Sequence, residues 1–328
     1  MIMNNKIIGI FLALLAALFY ALSTPFSKIL LENVEPMMLA SILYIGAGIG
    51  ISLIYIFLPS KKKKEEVKLE KSDLPFVISM VVLDIIAPIL LMVGLMYSNA
   101  SSVSLLNNFE IVATSLIALL IFKEKINIKV WIAIFLIIIS SALLTFDNLM
   151  NFELNVGSIF VILATISWGI ENNCTKKISN KSTYQIVIIK GLFSGLGSLI
   201  VALISKEKIP QFEFILYGLA LGFVAYGLSI FTYIRAQKEI GAAKTSFFYS
   251  TTPFIGAILS LLILKEEINF NYYIALAIMV IATFIIVFDT LFVYHKHNHS
   301  HKNNNNNNTH YHLHLVGKEQ IHNHHKYE

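Results

Sequence analysis

The chain has 328 residues, 56% of them hydrophobic and only 14% charged, with a mean hydropathy of +0.70 and a formal net charge of +5. Such a balance exceeds what one soluble core can hide, which excludes a water-soluble enzyme, and the long continuous apolar runs exclude the alternating segments of an outer-membrane barrel. Cys174 is the single cysteine, so neither an intramolecular disulfide, a paired-cysteine zinc site nor a CxxC redox motif is available.

Taken in chain order, apolar stretches predict helical spans from Ile7 to Leu31, Met37 to Leu58, Leu74 to Met96, Ser102 to Phe122 and Val130 to Phe146. Five more follow, from Val156 to Thr175, Tyr184 to Ser205, Phe214 to Ile234, Thr245 to Leu264 and Tyr272 to Val293. The fold class expected is an all-α membrane protein of ten transmembrane helices. The first span follows Lys6 like a signal peptide, but it is long and nine spans succeed it, so it reads as an uncleaved helix.

Loop lysines set the orientation. With the amino terminus in the cytoplasm, the inner segments collect Lys6, the run Lys61 to Lys64 with Lys68 and Lys71, then Lys123, Lys125, Lys129, Lys176, Lys177, Lys181, Arg235, Lys238 and Lys244. The outer segments hold only Lys28, Lys206, Lys208 and Lys265. The positive-inside rule then places both termini in the cytoplasm of a multi-pass protein of the cell membrane. Nucleic acid is not an expected partner, because the basic residues are scattered among short loops without stacking aromatics. The Lys61 to Lys64 run reads first as an orientation signal and second as a contact for anionic lipid.

The chain repeats itself. Gly9 to Lys28 aligns without gaps on Gly157 to Lys176, with Tyr20 opposite Trp168, and Ala100 to Asp147 aligns on Ala242 to Asp289. The second alignment pairs Ser104 with Ser246, Lys123-Glu124 with Lys265-Glu266, and Phe146-Asp147 with Phe288-Asp289. A five-helix unit is thus duplicated, over residues 1–147 and 148–294. Because each unit has an odd number of spans, the copies enter the membrane from opposite sides and form inverted repeats, an architecture typical of secondary transporters.

The stretch Asn99 to Thr145, with its small-residue start, Leu-rich helix, Lys123-Glu124 pair and following apolar helix, resembles the EamA-type repeat of the drug/metabolite transporter superfamily, and Gly241 to Asp289 resembles it again. That resemblance implies a ten-helix exporter or permease for small metabolites such as amino acids. It implies a central cavity lined by helices one, three, four, six, eight and nine, with helices five and ten peripheral and able to support a homodimer. Ile111 stands where the fourth helix usually carries proline, whereas Pro253 keeps that place in the ninth. Tyr44 lies near the place of a basic residue common in the second helix.

Ionisable residues inside spans are costly and face a cavity or a partner, which makes them the candidates for a substrate site. Asp84 and Pro88 share a face of span three, and Asn107 and Glu110 share a face of span four beside Asn108. The corresponding positions in the second repeat hold Tyr249, Ser250 and Thr252. Glu171 and Lys190 lie roughly 7 to 9 Å inside the membrane at 1.5 Å per residue, where they either pair or Lys190 snorkels to the head groups. Tyr20 and Trp168, at matching repeat positions, are a clamp for an apolar or aromatic solute or interfacial anchors, and Tyr226 completes the set.

Gly46 and Gly50, Gly191 and Gly195, and Gly218 and Gly222 have GxxxG spacing, read as close packing within the bundle. All ten histidines fall between His295 and His325, beside Asn303 to Asn308, in a low-complexity segment, residues 295–328, expected to be disordered. Among them His295, His297, His299, His301, His312, His314, His324 and His325 could bind Zn²⁺ or Ni²⁺ adventitiously or for regulation, with no cofactor required. The leading expectation is a secondary transporter of a small polar, amino-acid-like metabolite working within the lipid bilayer. The alternative is a divalent-metal permease for Ni, Co or Zn fed or regulated by the tail. No nucleophile, acid/base dyad or phosphate loop has credible spacing for an enzyme.

Overall fold

The computed structural model describes residues 2–59, 67–123, 127–148, 153–178, 181–240, 245, 248–299 and 308–315. Eight helical stretches are long and apolar enough to cross a bilayer: Ile7–Leu30, Pro36–Ile56, Lys71–Tyr97, Ala100–Ile121, Ile128–Thr145, Thr183–Ile204, Phe212–Ala236 and Phe270–Phe288. These are spans one to five, seven, eight and ten. Span six is the helix Val156–Ile178, whose polar Glu171, Lys176 and Lys177 dilute its hydropathy, and span nine contains the shorter apolar helix Thr252–Leu264. Each of the ten spans expected from the sequence therefore contains helix among the described residues.

Local chemistry fixes the helix ends. Proline opens the helices at Pro36, Pro75 and Pro253, where its missing N–H costs nothing. Lys123 and Lys265, at the same repeat position, close spans four and nine in the left-handed region, with φ of 54° and 52°.

Several spans are interrupted. Span one breaks at Leu22, between the helices Ile2–Ala21 and Ser23–Leu30. Span four breaks at Asn107 and Asn108, between Ala100–Leu106 and Phe109–Phe122. No proline makes that break; instead the buried Asn108 side-chain amide donates to the Leu105 carbonyl at 3.2 Å, offering the backbone a partner other than the helical N–H. In the second repeat the turn falls at Ser250 and Thr251, just before Pro253. Span eight carries a π-helical turn over Phe223–Leu228. Span three runs unbroken through Pro88, whose lack of an N–H leaves the Asp84 carbonyl without its helical donor.

The packing follows the duplication. Span two lies on span seven, span five on ten and span four on nine, so each of these pairs joins a helix to its own repeat counterpart. Span three lies on six and span one on eight, two pairs that exchange when the repeats are exchanged. Glycines set the approach. A Cβ on Gly191 would stand 2.5 Å from the Cα of Gly48, one on Gly222 2.0 Å from the Leu43 carbonyl oxygen, and one on Gly94 2.7 Å from the Gly157 carbonyl oxygen. All three GxxxG pairs are consumed inside the bundle: Gly46 and Gly50 face span eight, Gly191 and Gly195 face span two, and Gly218 and Gly222 face span two from the other side.

At the end of the bundle where span one finishes, polar side chains tie helix termini across the repeats. Glu266 accepts the N–H groups of Ala100 at 2.6 Å and Ser101 at 2.9 Å, and Glu207 accepts those of Met38 at 2.7 Å and Met37 at 3.2 Å. A carboxylate there meets the unsatisfied donors and the positive end of the helix dipole. Lys28 does the converse, donating to the carbonyls of Leu95 at 2.5 Å and Ser98 at 2.8 Å at the end of span three.

Strands occur at the margins of the bundle among the described residues: Phe146–Asn148 pairs with Glu153–Leu154 between the repeats, and Phe292–His299 pairs with Asn308–Leu315. The second pair lies within the His/Asn-rich segment. Its sequence mixes Val, Tyr, Thr and Leu into the polar run, residues of high β-propensity, and the register sets His295 opposite His312 and His297 opposite His310. His301, His324 and His325 lie outside the described residues.

Candidate functional site

The charged residues of spans three, six and seven meet. Lys190 Nζ lies 3.1 Å from Asp84 Oδ2 and 3.2 Å from Glu171 Oε1, so one ammonium holds two carboxylates. Asp84 and Glu171 have exposures of 0% and 1%, and the lysine side chain retains 20%. The opposite oxygen of Asp84 accepts from Tyr44 Oη at 3.2 Å, and Glu171 accepts from the Thr175 hydroxyl. Of the two readings for Lys190, ion pairing is the one formed, and Asp84 joins it. Span seven is the repeat counterpart of span two, so the ammonium absent beside Tyr44 is supplied from the other half of the molecule.

Glu110 belongs to the next layer. Asn172 on span six donates its side-chain amide to Glu110 Oε1 at 2.5 Å and lies 3.4 Å from the Thr114 hydroxyl, while Asn173 donates to the Thr114 carbonyl at 3.0 Å. Span four can approach span six this closely because Gly169 faces Ala113. Glu110 and Asn172 are half-buried rather than sealed. One turn before Glu110, at the break in span four, Asn107 Oδ1 has no hydrogen-bond partner among the described residues. An interrupted helix with a buried, idle amide oxygen one turn from a half-buried glutamate places two polar groups together inside the bundle.

Tyrosines form a cluster of their own. The rings of Tyr20 and Tyr226 meet edge-on with centroids 5.5 Å apart, Tyr226 also lies 5.5 Å from Tyr44, and Tyr20 lies 6.3 Å from Tyr249. Tyr249 in turn meets Tyr233 at 4.8 Å. Tyr226 sits in the π turn of span eight, an irregularity that re-aims side chains and recurs at functional sites. Tyr44 joins the aromatic group to the ion cluster, since its ring contacts Tyr226 and its hydroxyl contacts Asp84.

Trp168 is buried, and its side chain hydrogen-bonds Tyr44 beside the ion cluster, while the Tyr20 ring meets those of Tyr226 and Tyr249. Asn108 spends its amide on the helix break, and Thr252 donates its hydroxyl to the Tyr249 carbonyl at 2.6 Å. Asn172, Thr114 and Tyr233 were not among the sequence candidates. The consecutive polar residues Glu171, Asn172 and Asn173 in an otherwise apolar span were the signal available for Asn172. Among the described residues no group of three or more His, Cys, Asp or Glu could hold a metal ion.

A duplicated ten-span helical bundle with charged and aromatic residues gathered where the repeats meet has the form of a membrane transporter. The EamA-like transporter family matches residues 7–146 and 155–288, and the chain belongs to that family. It is 26% identical to an "uncharacterized transporter" of Methanothermobacter thermautotrophicus over 289 residues, covering 83% of each chain. A further "uncharacterized transporter", from Clostridium kluyveri, is 24% identical over 84% of this chain and 92% of its own. The transporter YyaM of Bacillus subtilis, also described as uncharacterized, is 23% identical over 66% and 73% respectively. A solved crystal structure with 14% identity superposes with a TM-score of 0.60, covering 86% of this chain and 95% of the other, and so shares the fold.

Proposed function

We propose that the protein is a secondary transporter that exports or exchanges a small polar, amino-acid-like metabolite by alternating access. The observation that carries this reading is the half-buried Glu110 carboxylate, held by Asn172 beside the idle oxygen of Asn107 at a helix break. Glu110 receives an ammonium group of the solute, Asn107 accepts a further N–H, and the tyrosine rings flank the solute body. Packing in which spans one and eight exchange with spans six and three supplies two comparable arrangements of the same contacts, one open to each side. The protein resides in the cell membrane with both termini in the cytoplasm, as the loop lysines require.

Two measurements test this. In cells or vesicles supplied with a panel of amino acids and amines, Glu110→Gln is expected to lower transport at least about tenfold at unchanged abundance, because a lost charge-assisted contact is worth about 1.5 to 3 kcal/mol. Transport by Glu110→Gln equal to that of the unaltered protein would overturn the assignment. Reporter fusions at Val67 and Glu328 should both report the cytoplasm, and an outside signal at either would refute the orientation.

A further inference from the structure

The two ends of the bundle are tied across the repeats in corresponding places. At the end where span two finishes, the Ser182 N–H donates to the Val67 carbonyl at 2.6 Å and the Leu69 N–H donates to Gln185 Oε1 at 3.0 Å. Lys181 Nζ stands 2.9 Å from Glu70 Oε1 and 3.4 Å from Asp73 Oδ2. These bonds join the segment that leads into span three to the segment that follows span six. Beneath them Met80, Ile178 and Ile186, one each from spans three, six and seven, form a buried apolar cluster with Leu69 packed against it.

At the opposite end Glu207 and Glu35 make the matching tie. Glu207 accepts the N–H groups of Met37 and Met38, and the Lys208 N–H donates to Glu35 Oε1 at 3.3 Å. The segment that leads into span eight is thereby joined to the segment that follows span one. Exchanging the repeats turns spans one, two and three into six, seven and eight, so it carries one tie onto the other. The Lys181 tie sits at the end of the contact between spans three and six, and the Glu207 tie at the far end of the contact between spans one and eight. Their chemistry differs, an ion pair at one end and carboxylates on backbone N–H groups at the other, so each can be cut alone.

We infer that the two ties are the paired end-locks of the transport cycle. Release of the Lys181 tie parts spans three and six at that end, release of the Glu207 tie parts spans one and eight at the other, and one stays closed while the other is open. The inference rests on the alternating-access reading and deepens it by naming the groups that hold each side shut. None of those groups belongs to the Glu110 site or the tyrosine cluster.

Hydrogen–deuterium exchange of the full chain in lipid nanodiscs, without solute, tests it. Lys181→Met should speed amide exchange over residues 67–73 and 182–185 and slow it at least about twofold over residues 35–38 and 207–211, because a population drawn to one open form leaves the other. Glu207→Ala should do the reverse. Faster exchange confined to the cut end, in either variant, is what a fixed staple would give and would overturn the pairing, and unchanged exchange at the cut end would overturn the tie itself. Since no solute enters the measurement, a failed Glu110 assignment leaves these outcomes as they are, and a failure here leaves the solute site standing.

Discussion

Replacing Lys190 with methionine keeps the apolar stem and deletes the ammonium, leaving Asp84 and Glu171 buried without their shared cation. The two bonds of 3.1 and 3.2 Å to Nζ place the carboxylate oxygens no more than about 6.3 Å apart. At an effective dielectric constant of about 20, two like charges at that distance repel by roughly 2.6 kcal/mol. The Tyr44 and Thr175 hydroxyls still donate to the acids, but neither neutralises them. Removing one partner from a buried charge cluster costs about 3 to 5 kcal/mol, in line with that repulsion plus the lost pairing. Purified Lys190→Met is therefore expected to melt on the order of 10 °C below the unaltered protein in the same detergent. Adding Asp84→Asn and Glu171→Gln to it should recover more than half of the loss, because the uncompensated charges then disappear. A triple variant no more stable than Lys190→Met would refute the assignment of the cost to charge, and an unchanged melting temperature in Lys190→Met would refute the cluster's role altogether.

Two further outcomes are expected from the helix contacts. Gly222→Leu should prevent accumulation of folded protein, since its Cβ would meet the Leu43 carbonyl oxygen at 2.0 Å and backbone cannot yield; Gly197→Ala, whose Cβ meets the flexible end of Ile85 at 2.2 Å, should cost no more than about 2 kcal/mol, because the gain of about 1 kcal/mol in helix propensity offsets part of the overpacking. Membrane abundance and melting of both variants check the contrast, and equal behaviour would contradict it. Glu266→Ala strips the cap from span four and should lower stability by about 0.5 to 2 kcal/mol, as read by thermal unfolding, with no change arguing against a capping role.

The spans and their duplication were legible because each is a local property: an apolar run of bilayer length, and matched residues at a fixed offset. The individual acids were legible for the same reason, since a carboxyl group inside such a run needs a partner or a cavity wherever the helix goes. Their partners were not. Asp84 and Lys190 meet because span seven packs directly on span three, and a sequence shows that Gly48 and Gly191 permit close approach without showing what they approach. Lys28 illustrates the other kind of miss: counted as one more outer lysine, it occupies the carbonyl end of span three. Glu266 likewise reads as half of a motif, and its bonds to Ala100 and Ser101 give that motif a physical reason in the second repeat, a left-handed lysine to stop one helix and a carboxylate to start another.

The seam between spans two and seven, where Gly48 lies against Gly191, is its own image when the repeats change places. A contact of that kind has the same energy whichever side of the membrane the protein faces, so on the alternating-access reading it acts as a fulcrum and carries no bias. The seams between spans one and eight and between three and six are images of each other instead. Strengthening one without the other tilts the balance toward one orientation, whereas altering the fulcrum changes how readily the molecule tips in either direction.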